Sequence, residues 1–159
     1  MKTLLWYSVV GSYCEDENEM NATQLSIEFI SLLDQAGKSK NFNCQPWYGG
    51  TRRHSRNILE ITGSINCLIY YKVRSAEPCR WGVTANRLRE LDRAGRRWFL
   101  VLLYVLPYTG YLISAEDVKR YLPIWPLGAD GDYKVGTGSY LQFNRPFSSF
   151  SQLINSLTA

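Results

Sequence analysis

Nine consecutive apolar and aromatic residues, Trp98-Phe-Leu-Val-Leu-Leu-Tyr-Val-Leu106, constrain this chain more than any other segment. The run is about half the length a helix needs to cross a bilayer. Pro107 closes it, and the reading that remains is a strand buried on both faces. Such a strand needs a covering layer on each side, which predicts a sheet interior flanked by helices.

The flanking segments supply those layers. Asn21 or Thr23 is placed to cap a helix whose apolar residues Leu25, Phe29, Ile30, Leu32 and Leu33 recur at three and four, with Gly37 as its end. Residues 38–57 are polar and turn-rich. Ile58–Ile61 reads as a short strand, Thr62-Gly-Ser64 as a tight turn, and Ile65–Arg74 as the antiparallel partner. Thr84 caps a second helix over roughly 85–94, ended by Gly95. Tyr111–Ile113 is a further short strand, and Ser114 caps a helix from Ala115 to Leu122. A loop through Trp125–Lys134, a strand near Ser139–Phe143 and a last helix, Phe147 to Leu157, complete the chain. The order predicts a single α/β domain over 1–159, with a mixed central β-sheet flanked by helices.

Charge is unevenly distributed. Residues 1–51 carry three Lys and Arg against six Asp and Glu, whereas residues 52–97 carry eleven against four. A basic middle third is the footprint of a surface for nucleic acid or phosphate. Its candidate contacts are Arg52, Arg53, Arg56, Arg74, Arg80, Arg87 and Arg89, with Trp81 offering a ring to an exposed base. His54, the single histidine, sits among these arginines, which disfavour its charged form.

Within the basic third, Ile65-Asn-Cys-Leu-Ile-Tyr-Tyr-Lys-Val-Arg-Ser75 is the segment closest to chemistry. An otherwise apolar strand ends in Lys72 and Arg74. A lysine lifted out of a buried strand has to offset its desolvation, and a phosphate is a partner that does so. Asp132-Tyr-Lys134 offers a similar acid-x-lysine string, but Asp130-Gly-Asp132 is a turn former by composition.

Helix, hairpin ending in lysine, helix and buried strand, in that order over residues 20–122, resemble the restriction-endonuclease-like superfamily, the PD-(D/E)xK nucleases. The resemblance implies a metal-dependent endonuclease in which Lys72 is the motif lysine, Glu60 the first acid and metal ligand, and Glu28 an acid from the first helix. Mg²⁺ or Mn²⁺ would be the cofactor, clamping the scissile phosphate and generating the attacking hydroxide. Tyr70 stands where that family carries its second acid, and a phenol is a poor Mg²⁺ ligand at neutral pH. That departure leaves two branches, a divergent nuclease acting on DNA or a nucleic-acid-binding relative that does not cut. The alternative class is a protein-interaction module, with a protein partner or a second copy docking through the opposed charges.

The cysteines, Cys14, Cys44, Cys67 and Cys79, show no paired metal spacing and are expected to be free thiols in a reducing cytoplasm. Residues 1–14 are expected to form an N-terminal strand, followed by an acidic loop at Glu15–Glu19. No membrane partner is expected, because no run is long enough to span.

Overall fold

The computed structural model describes residues 20–49, 57–76, 80–136 and 145–158, and the expected strand at 1–14, the acidic loop at Glu15–Glu19 and the expected strand near 139–143 lie outside them. The first helix, α1 (Ala22–Lys40), starts as its sequence dictates. Asn21 and Gln24 satisfy each other's backbone N–H groups, at 2.9 and 3.0 Å, in a reciprocal capping box. Leu25, Phe29, Leu33 and Gly37 form its buried stripe. Gly37 does not end the helix. A Cβ there would lie 2.3 Å from the Phe42 carbonyl oxygen, so glycine serves close approach, and the chain turns at Asn41 with a left-handed φ of 63°.

That close approach admits a strand the composition of residues 38–57 concealed. β1 (Phe42–Pro46) is an edge strand, antiparallel to β2 (Ile58–Gly63). β2 in turn pairs antiparallel with β3 (Cys67–Arg74), as the hairpin signals indicate. β5 (Trp98–Tyr104) lies parallel to β3, from Leu68 opposite Trp98 to Arg74 opposite Tyr104. β6 (Gly110–Ser114) and β8 (Arg145–Phe147) extend the sheet on the other side. The main sheet therefore runs β1-β2-β3-β5-β6-β8, mixed, with its two most apolar strands in the interior.

Two covering layers differ in kind. On one face, α1 and α4 (Phe150–Thr158) pack on Ile61, Ile69, Tyr71 and Val101. The other face meets α2 (Ala85–Arg93), α3 (Ala115–Tyr121) and a separate two-stranded ribbon of β4 (Arg80–Thr84) and β7 (Asp132–Gly136). The ribbon's second strand takes up the end of the loop expected at Trp125–Lys134. Its strands are short, and Trp81, Val83 and Val135 alternate inward against the sheet.

Cys44 and Cys67 both flank Ile61 from neighbouring strands. Two strand spacings separate them by roughly 9.6 Å, beyond disulfide reach. Both are free thiols, and burial pushes each up to about 11. The protonated form is thus the one the fold favours. Its contribution is complete below the ordinary thiol value of 9.0 and is lost as pH rises through about 11. At pH 8 roughly one thiol in a thousand is ionised by this shift. Peptide mapping after iodoacetamide treatment should find Cys44 and Cys67 unmodified in the native protein and fully alkylated in urea. Rapid native alkylation of either would contradict this burial.

Candidate nucleic-acid interface

One end of the main sheet gathers the features a phosphate-binding site needs. β1 and β5 finish there, β2 and β6 begin there, and β3 arrives carrying Lys72 and Arg74. Lys72 is level with Leu102 and Tyr111 across the sheet, and Arg74 with Tyr104. Residues opposite one another share a face, so both cations project on the ribbon side with the half-buried Tyr104 and Tyr111. Lys72 and Arg74 are themselves half-buried and lie about 6.6 Å apart along the strand. The Arg74 guanidinium donates to the Ala76 carbonyl at 3.0 Å.

Backbone bonds hold this end together. Tyr71 N–H donates to Asn57 at 3.0 Å, Trp47 N–H to Ile58 at 3.0 Å, and Val105 N–H to Arg74 at 2.8 Å. Val105 has a φ of 67° and Asn57 one of 63°. For a β-branched residue the left-handed region is a true outlier, and it is retained here by the bond to Arg74.

The acids implied by the family resemblance do not assemble around Lys72. Glu60 does lie on the strand paired with β3, and on the same face, but it is level with Leu68. Four residues of β3 therefore separate its level from that of Lys72, roughly 13 Å. Its carboxylate is engaged at the far end, accepting from Gln45 at 3.0 Å and ion-paired with Arg96. Those two donors hold its carboxyl below the ordinary range, the Gln45 bond first and Arg96 next. Glu28 is exposed on α1, whose packing layer covers the opposite face of the sheet. Tyr70 is buried beneath the ribbon, its hydroxyl accepting the Thr84 N–H at 3.0 Å, and burial pushes its phenol upward. A protonated phenol, an acid committed to arginine and an acid across the sheet do not make a Mg²⁺ or Mn²⁺ donor set. Among the described residues no three His, Cys, Asp or Glu side chains converge as metal ligands.

Asp132 is the carboxylate whose charge reaches Tyr70, from its place opposite Thr84 in the ribbon. Asp130 caps the turn, accepting from Asp132 N–H at 3.1 Å and pairing with Lys134 at 2.7 Å. The acid-x-lysine string is thus a turn and a ribbon strand, with its lysine already satisfied.

The basic residues divide into two groups. Arg80, exposed at the start of β4, follows Arg74 after a short connection. Arg87, paired with Glu90 at 2.6 Å, and Arg89, bonded to Asn86, ride on α2 instead. That helix descends from the level of Tyr70 toward Asp92, which accepts from the Trp98 indole at 3.3 Å. A cavity of about 380 Å³ opens at this lower end, lined by Asp92, Arg96, Arg97, Trp98 and Lys119 among others, where Lys119 pairs with Asp92 at 3.2 Å. Arg52, Arg53, His54 and Arg56 lie outside the described residues.

Trp81 has to be removed from the binding set. It is 1% exposed, donates its indole N–H to the Leu103 carbonyl at 2.9 Å, and meets Tyr104 and Tyr111 edge-on. A ring enclosed in this way has no face left for a base. Among the described residues, the exposed rings at the Lys72 end are Tyr48 and Tyr108. Each lies in a Pro-x-x-Gly segment, Pro46-Trp-Tyr-Gly49 and Pro107-Tyr-Thr-Gly110, a signal for a turn but not for which ring faces solvent.

No helix among the described residues is long and apolar enough to cross a membrane. No family model matches the chain, and no curated protein matches it. Among solved structures, the chain is similar to Hjc of Archaeoglobus fulgidus, a Holliday junction resolvase from an archaeal hyperthermophile. The identity is 11% and the TM-score 0.46, over 76% of this chain and 94% of that one.

Proposed function

We propose that this protein binds nucleic acid through the sheet end that carries Lys72, Arg74 and Arg80, as a relative of restriction-endonuclease-like nucleases that does not cut with the Glu60–Lys72 pair. The observation that supports it is the placement of Lys72 and Arg74 on one face, at the end of an interior strand, beside half-buried tyrosines. The helix, hairpin, helix and buried-strand order behind the superfamily resemblance recurs in α1, β2–β3, α2 and β5. Phosphate oxygens suit this end because Lys72 supplies a compact charge and the arginines supply planar forks. Glu60 belongs to a structural ion pair in this reading.

Binding should be read as log affinity against log salt on a short DNA duplex, with and without chelator. Each phosphate neutralised contributes about −0.9 to the slope. Lys72→Ala and Arg74→Ala should each flatten it by about that amount and weaken binding roughly five- to tenfold near 0.1 M salt. Glu60→Ala should leave affinity unchanged while lowering the melting temperature, since it strands Arg96 and Gln45. Affinity that requires Mg²⁺, or is lost in Glu60→Ala at unchanged stability, would return Glu60 to the site and defeat this reading.

A further inference from the structure

We infer that the Lys72 end takes an unpaired strand in preference to a duplex, with Tyr48 and Tyr108 each stacking on a base beside phosphates held by Lys72 and Arg74. The inference rests on the nucleic-acid reading above and adds the substrate class. Tyr48 is 50% exposed and Tyr108 40% exposed, so each presents much of its side chain to solvent. Both turns are pinned to the sheet that carries the cations. Trp47 packs partly against the core and donates its N–H to Ile58, which leaves the next residue, Tyr48, directed outward. On the other side, Val105 N–H donates to the carbonyl of Arg74 itself, and Thr109 closes the turn with bonds to Leu106 and Tyr104. Tyr108 thus sits on a short, strained turn that is tied to a phosphate-binding residue.

Spacing agrees with this division of labour. Tyr48 follows β1, Tyr108 follows β5, and β3 with its two cations runs between them. Three strand spacings make that crossing roughly 14 Å. Paired bases in a duplex are already stacked and present only their edges, so an exposed phenol ring gains a π-face contact only from a base that is free.

Fluorescence anisotropy with labelled oligo-dT, and with the same oligonucleotide annealed to oligo-dA, tests this at one salt concentration. The single strand should bind more tightly. Tyr48→Ala and Tyr108→Ala should each weaken it roughly five- to a hundredfold, the range alanine substitution produces for one base–aromatic stack. Tyr48→Phe and Tyr108→Phe should restore affinity, since stacking needs the ring and not the hydroxyl. Circular dichroism melting confirms that these surface variants remain folded. Lys72→Ala should weaken both ligands together. Equal or tighter duplex binding, unchanged single-strand affinity in both alanine variants, or failure of phenylalanine to restore it, overturns the inference. In those cases Lys72-dependent binding leaves the nucleic-acid reading standing. If the wild-type protein binds neither ligand, both fall.

Discussion

Trp81→Ala is expected to destabilise the fold by about 3–5 kcal/mol, the range for truncating a large aromatic residue in a packed core. Among the described residues, Trp81 is the largest of the fully buried side chains, and it joins the ribbon to the sheet. Its removal empties the space between Tyr104 and Tyr111, which contact it at 6.3 and 6.2 Å between centroids. It also takes away the donor that reaches the Leu103 carbonyl. A loss of that size is a large fraction of the ~5–15 kcal/mol that stabilises a domain. Urea denaturation measures it as a lower midpoint. Trp81→Phe keeps much of the volume and loses only the indole N–H, so it should fall between wild type and alanine, with nucleic-acid affinity unchanged. Weaker binding by Trp81→Phe at wild-type stability would show that the indole meets a ligand after all.

The second large effect is expected at Gly110, where β6 begins beside the candidate interface. A Cβ at this position would lie 1.8 Å from the Leu102 carbonyl oxygen and 3.1 Å from Leu103 Cα, and the residue has a φ of 156°. Both contacts are backbone, so no side-chain rotation relieves them. Gly110→Ala has to part β6 from β5, and with it the turn that carries Tyr108. A cost of about 3 kcal/mol or more follows, the upper range for overpacking. Native-state hydrogen exchange should show the amides of the β5–β6 pair losing protection first. Gly95→Ala is a useful contrast. That residue also has a left-handed φ, of 66°, but nothing lies within 4 Å, so only the conformational cost of about 1 kcal/mol applies.

The hairpin of β2 and β3, the interior strand β5, and the helices capped by Asn21 and Ser114 were legible because local signals agree with long-range burial. The boundary at Gly37 was misread because the reason for that glycine is Phe42, which packs against it only once β1 forms. β1 and the ribbon escaped detection for a related reason. Both are built of short strands; β1 lies in a polar, turn-rich segment, and β4 pairs with β7 across about fifty residues. Nothing local distinguishes such a strand from a loop.

The candidate site divides in the same way. Two-residue alternation is a property of the strand alone, and it places Tyr70 and Lys72 on one face of the sheet and Tyr71 on the other. How far along that strand Glu60 lies from Lys72, and which partner holds its carboxylate, depended on register and on Arg96 arriving from thirty-six residues away. Which aromatic rings face solvent was also beyond the sequence. Trp81 and Tyr108 each stand within two residues of a glycine, but the ribbon folds one against the sheet while the turn tied to Arg74 holds the other out. The chain alone determined a basic strand end in an α/β domain, because charge and hydrophobic period are local. The tertiary structure decided which acids, cations and rings meet there, because that depends on register, layer and close approach between distant segments.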